Sequence, residues 1–330
     1  MIIIDKQLTS AIVDWFDKNI RIKLKTKTST YDVYEYRLKK YIVPFFKDKK
    51  LSEVTSEDIQ EFVLTLENER TKEALAPNTI CNITMLLFDF FDYCMVERNI
   101  RCNPCAKVVL PKKKRKKVET FSKRECSAIL RQIEKKPQSR SRLVLVALHT
   151  GMRLGELTSL KWEYVDLPNR VIKVKTTKSR IRNKGNRNIK ESSICSGDAV
   201  GKTIVVIAEA KTEDSIRQVP ISSLVLEQLK EQMIYDSDYV FPKSDGSGYD
   251  NRSIQKYFKE LTVSLGIQDK SFHTLRHTFA TNALESGMDI KTLSEILGHS
   301  DVATTLNYYV HPNEEHTKKA MEVVSKYIGK

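Results

Sequence analysis

Six cysteines in 330 residues make no disulfide framework, which leaves them as reduced thiols. Cys102 and Cys105 form a lone pair with no second pair to complete a zinc site, so a structural reading of them is preferred. No apolar run approaches the ~20 residues that a membrane span needs. The opening Met1-Ile2-Ile3-Ile4 lacks the length and the charged start of a signal peptide. The expected place of action is the cytoplasm, with no membrane partner. Acid is the remaining shortage: 42 Asp and Glu stand against 56 Lys and Arg, a net charge of +14. A pI near 9.3 points to a polyanionic partner. Residues 1–117 carry 23 basic against 16 acidic side chains, net +7, which leaves +7 for the rest. Both halves are expected to meet the polyanion.

Two further absences remove enzyme classes. The stretch 197–203 looks like a phosphate-cradling loop, but three residues separate Gly197 and Gly201 where the motif has four. A strand pattern follows it, where the motif needs a helix N-terminus to hold phosphate. His273 and His277 stand four apart, as a metal pair would, yet the interior Glu of a metalloprotease helix is missing and Arg276 lies between them. No nucleotide, metal or other cofactor is expected.

Residues 1–110 read as all-helical. Leu8, Ile12, Trp15 and Phe16 mark one helix; Tyr34, Leu38, Tyr41 and Ile42 mark a second, stopped by Pro44. Ser56 is the expected cap of a third, with Glu57 and Asp58 in its first turn and Ile59, Phe62, Val63 and Leu66 on one face. Pro77 opens a fourth, with Ile80, Ile83, Leu87, Phe90 and Phe91 aligned. Lys23, Lys25 and Lys27, beside Thr26, Thr28 and Ser29, are either donors for phosphate oxygens or a solvated loop. Residues 111–118 form a linker carrying Lys112, Lys113, Lys114, Arg115, Lys116 and Lys117 in succession. Alone it looks like a nuclear-localisation signal. Between two basic domains it is better read as lying along the polyanion and letting the halves close as a clamp.

The second domain, residues 119–330, is expected to begin with a helix capped by Ser122 and containing Glu125. Leu143 to Leu148 is an unbroken apolar run, the mark of a buried helix leading into Gly151-Met152-Arg153. Val165 to Val174, Thr203 to Ile207 and Arg217 to Pro220 carry strand patterns, the first turning at Pro168-Asn169. Residues 175–193, with seven basic side chains and one acidic, are expected to be a flexible basic insertion in a hairpin or a disordered loop. Arg180 and Arg182 in it are candidate polyanion contacts. Helices are expected near 224–233 and 252–265.

The stretch from Phe272 to His311 is the most informative. Glycines at 287 and 298 and Pro312 punctuate three short helices. Leu275, Phe279, Ala283 and Leu284, then Ile290, Leu293, Ile296 and Leu297, face a core. That core does not explain His273, Arg276, His299 and Tyr309. A guanidinium forks onto phosphate oxygens, imidazoles move or donate protons near neutral pH, and a phenol is a covalent nucleophile. Together they can hold and attack a phosphodiester.

His273-x-x-Arg276-His277, Leu297-Gly298-His299-Ser300 and Tyr309 two residues before His311 resemble the C-terminal signature of the tyrosine recombinase, or phage-type integrase, family. Thr150-Gly151-Met152-Arg153-Leu154-Gly155-Glu156-Leu157 resembles the segment with that family's first catalytic arginine. The fold this implies is mainly α: a four-helix, SAM-like core-binding domain over 1–110, then a mostly helical catalytic domain with a small antiparallel β-sheet and a tail at 312–330. The residues ahead of Tyr31 resemble the core-binding domain's own opening helix, and no clear arm-binding domain is recognised. The resemblance implies a site-specific DNA recombinase that cuts and rejoins through a 3′-phosphotyrosine. Tyr309 would be the nucleophile, Arg153, Arg276 and His299 the phosphate holders, and His273 the acid/base toward Tyr309. His277 is expected to pack or to satisfy a backbone group. Lys211 would protonate the leaving 5′ oxygen; Lys173, Lys175 and Lys178 compete, and Lys211 is preferred for the Arg217 to Pro220 ending that follows it. Glu156 could be a plain helix partner of Arg153, but beside two guanidiniums on one phosphate it orients an arginine or the His299 region. Partners would be double-stranded DNA at attachment or core sites, a homotetramer on synapsed DNA, and accessory DNA-bending proteins. Rival readings are an Xer-like resolution recombinase, a type IB topoisomerase and a catalytically silent DNA-binding regulator.

Overall fold

Leu8–Trp15 (α1) buries Leu8, Ala11, Ile12 and Trp15, the spacing of one helical face. It runs on through a wider turn at Phe16–Ile20. In this computed structural model the described residues are 7–20, 28–68, 71–97, 100–112, 118–183, 194–196, 203–209, 216–299, 301–309, 321–322, 324–326 and 328–329. They fall into two units, Met1–Lys116 and Lys117–Lys330.

Thr28–Arg37 (α2) continues through a wide turn, Leu38–Ile42, into Val43–Phe45. Pro44, the expected stop, sits inside that last turn instead. Its ring removes one N–H from the ladder, and the widened turn just before it makes room. Ser56–Leu64 (α3) is capped by Thr55 rather than Ser56. The Asp58 N–H donates to Thr55 Oγ1 at 3.2 Å and the Thr55 N–H to Asp58 Oδ2 at 3.0 Å, so the acid three residues on decides the cap. Pro77–Val96 (α4) buries Ile80, Ile83, Leu87, Phe90 and Phe91 as expected. Against the expectation that no stretch could span a membrane, α4 is long and apolar enough by length and composition, though half of it is buried. Its buried face joins Trp15, Phe16, Phe46 and Phe62 in one core, the pattern of a central packing helix.

In the second unit Ser122 caps Lys123–Lys135 (α5), with Glu125 closing the box. Ser139–Thr150 (α6) is buried through Leu143–Leu148 and forms the centre of the core. It ends at Gly151, whose φ of 64° is in the left-handed region and where a Cβ would come within 2.5 Å of Phe279. Leu154–Thr158 (α7) follows at once.

The strands are Val165–Asp166 (β1), Val171–Val174 (β2), Thr176–Arg182 (β3), Ile194–Ser196 (β4), Thr203–Glu209 (β5) and Arg217–Pro220 (β6). They form two antiparallel three-stranded sheets, ordered β1-β2-β6 and β3-β5-β4, where one small sheet is expected. The second sheet contains part of the stretch expected to be a flexible insertion or loop. Its charges are matched by distant groups: the Lys178 amine donates to the Tyr249 carbonyl at 3.0 Å and lies 4.9 Å over the Tyr239 ring. Arg180 pairs with Asp250 and donates to Thr203 Oγ1 at 2.9 Å. Ile181, Ile204 and Val206 give the sheet a small apolar cluster of its own. Residues 184–193 and 197–202 lie outside the described residues.

Ser223–Lys230 (α8) and Asn251–Ser264 (α9) lead to His273–Glu285 (α10), Ile290–Leu297 (α11) and Val302–Tyr309 (α12). Ala280, Ala283, Leu293 and Leu297 pack α10 on α11. The first two helices of this stretch end where Gly287 and Gly298 predict, and Pro312, the expected stop of the third, lies outside the described residues.

Candidate active site

The last carbonyls of an α-helix have no partner within it, and the helix dipole gathers negative charge there. At the end of α11 those carbonyls are met by guanidinium groups from three elements. Arg217, on β6, donates from Nε to the Ile296 carbonyl at 2.7 Å. Arg276, on α10, donates from Nη2 to the Leu297 carbonyl at 2.8 Å and from Nη1 to that of Gly151 at 2.8 Å. Arg153, just before α7, donates from Nη1 to Leu297 and from Nη2 to Gly298, both at 3.3 Å. One helix end therefore sets the spacing of three cations.

Glu156 ties two of them from the other side. Arg217 forks onto its carboxylate at 3.0 and 2.6 Å, and Arg153 Nη1 reaches Oε1 at 3.1 Å. Burial alone would raise the Glu156 carboxyl, but the Arg217 hydrogen bonds and charge, then Arg153, hold it below the usual carboxylate range. The Glu156 and Arg217 side chains are 7% and 11% exposed, whereas that of Arg153 is 41% exposed and so open to a ligand.

Gly298 makes this convergence possible. Its φ is 65°, and a Cβ there would stand 2.8 Å from Arg217 Cδ and 3.0 Å from Nη1. Gly298→Ala is expected to cost about 1–3 kcal/mol, from left-handed strain and a displaced Arg217. Denaturant unfolding of the variant checks this, and an unchanged midpoint would contradict it.

His299 follows directly. Its Nε2 lies 2.9 Å from Arg276 Nη2, and its Nδ1 lies 2.9 Å from Thr305 Oγ1 on α12. Burial first, then Arg276, Arg153, Arg217 and His273, lowers its pKa to about 4. His273 is likewise lowered to about 4, by burial, then by His277, Arg276 and Arg153. Its ring meets that of His277 edge-on at 4.7 Å. Burial lowers His277 and His149 as well. These rings are neutral at pH 7.

An unfolded histidine titrates near 6.5, so between pH ~6.5 and 4 the unfolded chain binds protons that the folded one refuses. The stabilisation is full above that window and is lost as pH falls through it. Lowering the pH from 7.5 to 5 should lower the melting temperature of the second unit, followed by Trp162 fluorescence. The drop should shrink in a His273→Gln, His299→Gln double variant. Equal slopes in the two proteins would contradict the assignment. The Glu156 carboxyl acts lower, below its unfolded range near pH 4.3, and does not enter this window.

Arg153, Glu156, Arg276 and His299 are thus brought together, with His273 near enough to feel both arginines. Tyr309 closes α12, one turn past Thr305; its side chain lies outside the described residues, as do Lys211, Lys23, Lys25, Lys27 and Lys113 to Lys117. Lys112 is exposed and Arg182 lies at the exposed end of β3. Arg180 faces Asp250 within the protein. Of the lysines competing with Lys211, Lys178 is 3% exposed with its amine committed to Tyr249, and Lys175 lies over the Tyr164 ring at 5.5 Å. Sequence reasoning did not single out Arg217 or Thr305 as site residues. The Arg217-x-Val219-Pro220 ending was visible, but it served only to mark a strand and to prefer Lys211.

The sequence pattern of the "Phage integrase family" matches residues 119–316, and that of the "Phage integrase, N-terminal SAM-like domain" matches residues 15–66. The chain is 31% identical over 329 residues to a "Tyrosine recombinase XerC-like" of Caldanaerobacter subterraneus subsp. tengcongensis, covering 92% of this chain and 79% of the relative. It is 25% identical over 286 residues to a tyrosine recombinase XerD of Rickettsia bellii, covering 84% and 86%. The Tn1549 transposon integrase, solved with a circular-intermediate DNA, superposes with a TM-score of 0.74 at 21% identity, over 95% of this chain and 99% of that one. A lambda integrase dimer bound to a core site gives 0.66 at 16%, over 93% and 78%. The chain belongs to the phage integrase family of tyrosine recombinases. It is a DNA-binding enzyme that breaks and rejoins DNA strands.

Proposed function

We propose that the chain is the site-specific recombinase of a mobile element or phage, and that Tyr309 is its nucleophile. The Tyr309 oxygen bonds to the scissile phosphorus as the 5′ oxygen leaves, giving a 3′-phosphotyrosine and a free 5′ hydroxyl. His273, neutral in its buried setting, takes the phenol proton, and Lys211 supplies a proton to the leaving oxygen. Arg153, Arg276 and His299 hold the non-bridging oxygens, where fixed donors stabilise the charge of the transition state. Glu156 keeps Arg153 in place. A 5′ hydroxyl from another strand then reverses the step, so the bond energy is kept and no metal or nucleotide is needed. Lys23, Lys25, Lys27, the run Lys112 to Lys117 and Arg182 would lie along the phosphates, and four copies would act on two synapsed DNA sites.

The observation that carries this reading is the convergence of Arg153, Arg276 and His299 at the end of α11, one turn from the helix that ends at Tyr309. The superposition with a transposon integrase supports the mobile-element setting by fold alone. The relative named XerC-like, at 31% identity, favours a second reading, resolution of replicon multimers.

Outward-facing primers at the two ends of the DNA segment carrying the gene test the choice. The proposal expects a junction product joining the ends, together with a reconstituted empty site, both lost with Tyr309→Phe. Multimers accumulating in the deletion strain, with no junction product, would favour resolution. Plasmid relaxation with no exchange between paired sites would remove both in favour of a topoisomerase.

A further inference from the structure

His299 holds a proton arrangement opposite to the one its role requires. The Arg276 guanidinium has only donors, so at 2.9 Å the Nε2 of His299 must accept. A neutral ring with Nε2 bare carries its proton on Nδ1, and that proton points at Thr305 Oγ1, 2.9 Å away. In this arrangement Nε2 has no hydrogen to offer a phosphate. The ring must present Nε2–H before it can donate to DNA.

Thr305 is suited to that change. It is fully buried, and its hydroxyl is the one neighbour of Nδ1 among the described contacts. A hydroxyl can accept a hydrogen bond from Nδ1–H and, after rotating, donate one to bare Nδ1. A carbonyl or carboxylate could only accept, and would fix the ring in its present form. Thr305 also stands on α12, four residues before Tyr309 on the helix that carries the nucleophile. The charges and titratable groups around the ring are Arg276, Arg153, Arg217 and His273. None of these four offers Nδ1 a partner.

We propose that Thr305 is a positioning residue that switches the tautomer of His299: it accepts from Nδ1–H in the DNA-free protein and donates to Nδ1 once phosphate draws Arg276 away from Nε2. In the exchange the ring loses one proton from Nδ1 to solvent and gains one from solvent at Nε2, so its charge is unchanged. The switch rests on the reading of His299 as a phosphate donor. It makes the phosphate-binding form of His299 depend on α12 being seated, so that cleavage competence and nucleophile placement arrive together.

Nitrogen-15 spectra of histidine-labelled full-length protein test this, with the His299 ring assigned by its loss in His299→Gln. The DNA-free protein at pH 7.5 should show the Nδ1–H tautomer. The Tyr309→Phe protein bound to a duplex carrying its junction sequence should show Nε2–H. Thr305→Val, which removes the hydroxyl at nearly constant shape, should slow adduct formation on a nicked duplex about 10- to 100-fold, the rate equivalent of one lost buried hydrogen bond. Its DNA affinity should stay within a few-fold, and Thr305→Ser should restore most of the rate. An Nε2–H ring in the free protein, no tautomer change on DNA, or full-rate cleavage by Thr305→Val would overturn the switch. Full-rate cleavage by His299→Gln would instead remove the phosphate-donor reading beneath it.

Discussion

Arg276→Lys should slow covalent adduct formation by about 10²–10³-fold, the loss seen when a fixed donor to a developing oxyanion is removed. The substitution keeps the positive charge and takes away the fork. Arg276 spreads its donors over Gly151, Leu297 and His299, and is 3% exposed. An ammonium on a flexible stem can meet one of these carbonyls while leaving the other without its partner, and it cannot present two parallel donors to a phosphate. DNA affinity should change little, because many other basic groups share the polyanion. Single-turnover cleavage of a nicked duplex measures the first effect and a binding titration the second. A rate within threefold of wild type would remove Arg276 from the phosphate site.

Glu156→Ala should have the largest effect on stability, about 3–5 kcal/mol, because it leaves the buried Arg217 guanidinium without its counter-charge. The carboxylate holds four donors, two from Arg217 and two from Arg153 including its backbone N–H. Removing it frees Arg153 to move, so cleavage should fall even at temperatures where the variant is fully folded. Denaturant unfolding followed by Trp162 fluorescence reads the stability, and adduct formation at low temperature reads the rate. A loss below about 1 kcal/mol would place the pair among weakly contributing surface bridges.

Much of the site is legible in the chain because local rules govern it. Glycine at 298 requires a left-handed turn, and that turn both ends α11 and aims His299. Ser122 with Glu125, and the aligned apolar residues of α4, follow in the same way from spacing alone. What escapes the sequence is pairing over distance. Nothing near Glu156 says that Arg217, sixty-one residues on, will fork onto it. Thr177, Lys178, Ser179 and Arg180 look like loop because their charges and hydroxyls are read one at a time. Asp250 and the Tyr249 carbonyl, about seventy residues away, are what allow β3 to form. Even the Thr55 cap turns on a single acid three residues further on, a shift of one position that propensity alone does not decide.

The central claim is that this cluster serves one phenol at the end of α12. Tyr308 and Tyr309 are adjacent there, and a helix turns ~100° per residue, so only one of them can face the phosphate. The decisive measurement is covalent trapping of the full-length protein on a nicked duplex, followed by mass spectrometry of the DNA-linked peptide. The linked residue should be Tyr309; Tyr309→Phe should give no adduct while binding DNA within a few-fold of wild type, and Tyr308→Phe should still be trapped. An adduct that survives in Tyr309→Phe and disappears in Tyr308→Phe would contradict it.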